Sequence, residues 1–257
     1  MMTVRCGNRI GLLLLILCIT GPGQALADPG VHITAVPSEI GIGALYDGIT
    51  LKVSGTVPAG SDVLLRFTGD PEELHLREKG KVFGLLWMNR NVVTFKNVPN
   101  VCLIQASRPF ADLGAAAVPY RLEHLRGNVT VESAGAGPDF DAPHELLRLK
   151  AQQGLCAESV GGFTMDPKGD GMQSFVSALE LPSALAPGSY RVEAVALKDG
   201  TLSGQASVPV TARLVGLPAW LKDLAVQHGA LYGILACGIA ILGGFLIGLL
   251  FQSKGAH

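Results

Sequence analysis

The chain has 257 residues and a formal net charge of −1, with 48% hydrophobic and 16% charged residues. A chain this close to neutral lacks the basic field that nucleic acid binding requires, so nucleic acid is excluded as a partner. It holds no serine-nucleophile elbow, phosphate-binding loop or paired-histidine zinc motif, so no catalytic residue, cofactor or metal is assigned and an enzyme is not expected.

The N-terminus carries Arg5 and Arg9 ahead of an apolar stretch at 10–20 that is too short to span a bilayer. Gly21, Pro22 and Gly23 break that stretch, and Ala25-Leu26-Ala27 supplies the small-x-small pattern of a signal peptidase site. Residues 1–27 are therefore expected to be a cleaved signal peptide. Export of the following segment would put the chain from Asp28 to about residue 225 outside the cytoplasm.

Alternating apolar and polar residues predict strands over 31–36, 49–55 and 63–68, then over 73–78, 82–88, 92–96 and 101–106. Turn signals at Gly69-Asp70-Pro71, Gly80, Asn89 and Pro99 separate them. Residues 108–126 suggest short helical turns. A helix is predicted over 141–153, with Asp141 as its cap, Pro143 in its first turn and Gly154 at its end. Strands return at 163–165, 175–181, 189–197 and 203–212. Short strands at such intervals suit a mainly β fold, an immunoglobulin-like β-sandwich with a helical insertion, followed by one C-terminal transmembrane helix. One interrupted sandwich or two small β-domains would fit. The change of character near residue 125 favours two: a sandwich-like domain over 28–125, and a helix plus second β-domain over 126–214.

Residues 215–228 predict a juxtamembrane amphipathic helix, with Trp220 suited to the membrane interface. From 229 to 251 no residue is charged, and at 1.5 Å per residue this run spans roughly 35 Å, enough to cross a bilayer. It is read as a transmembrane helix with residues 252–257 as a cytoplasmic tail. The expected location is a bacterial inner membrane, with a single pass and the N-terminal domain in the periplasm. Gly229, Gly233, Ala236, Ala240, Gly244 and Gly248 step by three or four, so they share one helix face, and Gly244 and Gly248 form a GxxxG unit. Small residues let helix backbones approach closely in lipid, so this face is a candidate packing surface for an integral membrane partner or a second copy.

Of the five cysteines, Cys6 and Cys18 leave with the signal peptide and Cys237 falls in the membrane. Cys102 and Cys156 remain in an oxidising compartment, where a disulfide and two buried thiols are both open. Arg77, Lys79, Lys81, Arg90, Lys96 and Arg108 are candidate anion-binding residues, able to hold a small oxyanion such as sulfite or sulfate if their strands are neighbours. The competing reading is a solvated strand face on which Glu72, Glu73 and Glu78 neutralise much of the charge.

Several segments occur together in order: LREKGKVFGLLWMN (76–89), VVTFKNVPN (92–100), ASRPF (106–110), LKAQQGL (149–155) and PGSYRVEAVALKDG (187–200), ahead of LYGILA (231–236). In this order they resemble the Alph_Pro_TM family of transmembrane proteins. The resemblance implies no catalytic residues. It does imply a context, because genes of the family often neighbour permeases of the sulfite-exporter (TauE/SafE-like) type. Cys102 stands where the family usually has an aromatic, so a disulfide would be peculiar to this chain. The expected function is that of an accessory subunit or partner of a membrane transporter, with sulfite or organosulfonate export as the implied setting. The alternative is an extracytoplasmic binding module for a small oxyanion or a protein partner.

Overall fold

Alternation in sequence becomes pairing in space only when strands find neighbours, and here the neighbours are distant in the chain. The structure, a computed structural model, describes residues 30–83, 85–133, 141–169 and 171–252. The expected signal peptide and the tail beyond Gln252 lie outside the described residues. In chain order the strands are β1 (His32–Val36), β2 (Glu39–Ile42), β3 (Ile49–Pro58), β4 (Asp62–Gly69), β5 (Pro71–Val82), β6 (Leu86–Pro99) and β7 (Cys102–Ala106). A 3-10 turn (Ala115–Tyr120), α1 (Leu122–Asn128), β8 (Thr130–Ser133), α2 (Ala142–Gln152) and β9 (Cys156–Val160) follow. Then come β10 (Phe163–Lys168), β11 (Met172–Leu181), β12 (Gly188–Lys198), β13 (Thr201–Leu214), α3 (Leu217–Gln227) and α4 (Gly229–Gln252).

Two sheets form the sandwich. One has four strands in the order β1-β3-β11-β10, and the other has six in the order β2-β13-β12-β4-β7-β9. Their inner faces share one core, to which Leu51, Val53, Phe175 and Leu181 contribute from the first sheet and Leu65, Phe67, Val192 and Ala194 from the second. Each such side chain removed from water contributes about 1.5–3 kcal/mol. The strand order is that of an immunoglobulin-type sandwich, with an A-B-E-D sheet facing a sheet built around G-F-C. Tyr190 strengthens the match. Near the start of β12, its hydroxyl donates back to Ala186 O at 2.6 Å, and its ring stacks on Phe67 at 5.1 Å.

This topology corrects the expected division near residue 125. β3 pairs with β11 and β4 with β12, so strands from both proposed domains lie within each sheet. The fold is one sandwich with insertions. The first is the β5–β6 hairpin, which joins β8 in a separate three-stranded sheet. The second runs from the 3-10 turn through α2. The two pack together around Val93, Phe95, Val129, Ala142 and Leu146.

A second correction concerns the hairpin. The predicted strand at 82–88 spans the reversal between Val82, which ends β5, and Leu86, which begins β6, and the predicted strand at 92–96 continues β6. Asn89 marks no turn: Lys79 faces Asn89 while Glu78 faces Asn91, which leaves Arg90 as the extra residue of a β-bulge. The predicted helix over 141–153 matches α2. Asp141 Oδ1 accepts from the His144 N–H at 3.1 Å, and Gly154 follows in a left-handed conformation at φ 71°.

Candidate functional site

Among the described side chains, the cations singled out in the sequence do not all meet in one place. Arg77, Lys79 and Lys81 alternate along β5 on its exposed face. Lys96 lies on β6 next to β8, where its Nζ bonds Glu132 Oε1 at 2.7 Å, and this hydrogen bond and charge raise its pKa. Arg108 follows β7 and pairs through Nε with Asp62 Oδ1 at 3.2 Å. Asp62 begins β4 and Gly69 ends it, so Arg108 and the root of the hairpin stand at opposite ends of the same strand. At about 3.4 Å per residue that strand keeps them some 24 Å apart. The Arg90 side chain lies outside the described residues. The described cations are therefore spread over the hairpin and the sandwich rather than gathered in a single oxyanion pocket.

Cys102 and Cys156 do meet. They are direct partners in the parallel register of β7 and β9, and the Cys102 N–H donates to Leu155 O at 2.8 Å. Both are free thiols, and both are buried. Burial pushes the Cys102 thiol up to about 12, with the neighbouring Cys156 adding to the effect, and burial also raises Cys156. Thiols held this firmly in the neutral form are poor nucleophiles. The pair is a packing contact between the sandwich and the strand that returns from α2.

The small-residue face of α4 is bare. A Cβ built at Gly229, Gly233, Gly244 or Gly248 meets no atom within 4 Å, and Ala236 and Ala240 on the same face are exposed. Large apolar side chains such as Leu231, Ile234, Leu242 and Phe245 are exposed around the rest of the helix. Gly229–Leu249 is long and apolar enough to cross a membrane, and none of its apolar window is buried against the chain itself. α3 precedes it with Trp220 exposed.

One feature escaped sequence reasoning. A cleft of about 460 Å³ opens between α1, α2 and β9, lined by Arg121, Arg126, Arg148, His144 and Glu158 among others. Its cations are matched by carboxylates: Arg121 to Glu158 at 3.1 Å, Arg126 to Asp141, and Arg148 to Glu145 at 3.7 Å. Glu158 also accepts from the Leu122 N–H at 2.7 Å, capping the start of α1. The cleft is a scaffold that pins the insertion to β9. No sequence signal marks it, because Glu158 and Arg121 meet only after β9 has joined β7. Elsewhere Arg66 pairs with Glu193 at 2.5 Å and lies under the Tyr120 ring at 5.4 Å, tying the 3-10 turn to the six-stranded sheet. Among the described residues no group of three or more His, Cys, Asp or Glu side chains is arranged to hold a metal.

The profile of the family described as "Putative transmembrane protein (Alph_Pro_TM)" matches residues 31–253, nearly the whole described chain. No curated protein matches the sequence. Among solved structures, the N-terminal domain of the Streptococcus gordonii adhesin Sgo0707 aligns with a TM-score of 0.28 and 13% identity. The alignment covers 73% of this chain and 33% of that one, so this chain spans about a third of the adhesin domain's length.

Proposed function

Because the chain belongs to the Alph_Pro_TM family, we propose that it is a single-pass membrane protein that serves as an accessory subunit of an integral membrane transporter. In this reading α4 crosses a bacterial inner membrane with its C-terminus inside, and the sandwich stands in the periplasm. The observation that carries the reading is the bare face of Gly229, Gly233, Ala236, Ala240, Gly244 and Gly248, which none of the described residues outside α4 covers. Lipid offers helices no hydrophobic reason to associate, so a continuous small-residue face supports association by close backbone packing. The dispersal of the cations favours a partner over a free oxyanion as what the domain engages. A permease of the sulfite-exporter type is the partner class proposed, and it would supply the transport path that one helix lacks.

Extraction of the full chain in mild detergent, followed by affinity capture and mass spectrometry, tests the proposal. A multi-span permease is expected to co-purify, and Gly244→Leu with Gly248→Leu is expected to remove it. Unchanged recovery of the same permease from the double variant would contradict the role of this face. Capture of the folded chain with no membrane protein would contradict the accessory reading itself.

A further inference from the structure

The β5–β6 hairpin ends in a cluster of apolar side chains that the fold leaves in solvent: Phe83 is 93% exposed, Leu85 85%, Leu86 63% and Met88 52%. Soluble surfaces rarely collect so many large apolar groups at one turn without a function. Behind them, Arg77, Lys79 and Lys81 occupy successive outward positions of β5. The stem is not a loose arm. Its inner face carries Leu74, Leu76, Val93 and Phe95 onto β8 and α2, and Lys150 Nζ clamps its root, bonding Glu72 Oε1 at 3.3 Å and Asn100 O at 3.0 Å.

The register of the six-stranded sheet says which end of the sandwich this hairpin leaves from. Gly69, the last residue of β4, faces Tyr190 at the start of β12, and Gly188 faces Ala212 near the end of β13. β13 ends at Leu214 and leads into α3 and α4. The hairpin and the membrane-bound helix therefore depart from the same end. The opposite end holds Asp62, Leu197 and Arg108.

We propose that the hairpin tip inserts Phe83, Leu85, Leu86 and Met88 into the interfacial layer of the bilayer that α4 crosses, while Lys79 and Lys81 meet the phosphates of anionic lipids. The occupant is a lipid surface because the apolar cluster stands at the turn between β5 and β6, and because it is backed by cations of the kind that anionic headgroups attract. Tethering by α4 keeps the membrane at high effective concentration, so a few inserted side chains suffice. A second attachment would fix the tilt of the sandwich over the membrane. The inference uses α4 only as a tether and does not depend on any transporter partner.

The chain has two tryptophans, Trp87 in the hairpin and Trp220 in α3, so Trp220→Phe leaves Trp87 as the sole reporter and leaves the hairpin intact. The full-length Trp220→Phe chain is reconstituted into phosphatidylcholine–phosphatidylglycerol vesicles with plain or brominated acyl chains. Trp87 emission is expected to be about twofold lower in the brominated vesicles, as for an aromatic at the headgroup–acyl boundary. Substituting Leu85→Ser, Leu86→Ser, Lys79→Glu and Lys81→Glu together should abolish the difference while leaving the unfolding temperature unchanged. Equal emission in the two vesicle types overturns the proposal, whatever the tip variant does. So does cross-linking of the tip to a co-purified protein in place of lipid. Loss of permease capture leaves this result unaffected, so the two ideas fail separately.

Discussion

At Gly55, in the middle of β3, an added Cβ would lie 2.2 Å from His32 O and 2.8 Å from Phe175 Cε1. The position needs the absence of a side chain because β1 crosses there at backbone contact. Gly55→Ala is expected to displace β1 and to destabilise the domain by about 1–3 kcal/mol, measured by denaturant unfolding. The buried thiols give a pH-dependent prediction. Cys102 is raised from 9.0 to about 12 in the fold and Tyr190 from 10.0 to about 12. An unfolded chain therefore releases these protons at lower pH than the folded one, so ionisation favours unfolding. Stability from these two groups should be complete below about pH 9 and should decline as pH rises toward 12. A melting temperature that fell over this window in the wild type, and fell less in Cys102→Ala with Tyr190→Phe, would bear this out; parallel profiles would refute it. Neither cysteine's neighbourhood was legible in advance, because the spacing of Cys102 and Cys156 says nothing about whether their strands pair.

Elements whose signals are local were legible, and elements defined by distant partners were not. α2 could be read from its cap, its Pro143 and its closing Gly154, all within one stretch of chain. β8 and β9 are short and polar, and they are strands only because β6 and β7 offer them edges. The same reasoning explains Asn89: a residue that suits a turn also suits the irregular pairing beside a bulge. The cap is open to test. Asp141→Ala removes the bond from the His144 N–H and the partner of Arg126, and should cost about 1 kcal/mol. Hydrogen exchange should show faster exchange in the first turn of α2, with the sandwich strands unaffected.

For the whole molecule, the count of strands in the sequence was nearly sufficient for the fold class, but it was silent on which strand pairs with which. A boundary near residue 125 looked natural because helices begin there. Yet β3 and β4 on one side of it need β11 and β12 on the other to close the core. A fragment ending at residue 125 should therefore remain unfolded by circular dichroism, whereas a fragment covering 28–214 should unfold cooperatively. The cation set failed for the same reason, since proximity in sequence placed Arg108 near the hairpin and topology carried it to the far end of β4. The glycine–alanine row lies along one side of α4 because helical periodicity is itself local, and its glycines meet no other described part of the chain.

We propose that this face meets a partner inside the membrane. Site-specific photo-cross-linking in native membranes tests it most directly, with the photoreactive residue placed either at Gly244, on the small-residue face, or at Leu242, on the opposite side of α4. The account predicts a protein adduct of a permease's size from position 244 and none from position 242. Adducts of equal yield from both positions, or lipid adducts alone from both, would contradict it.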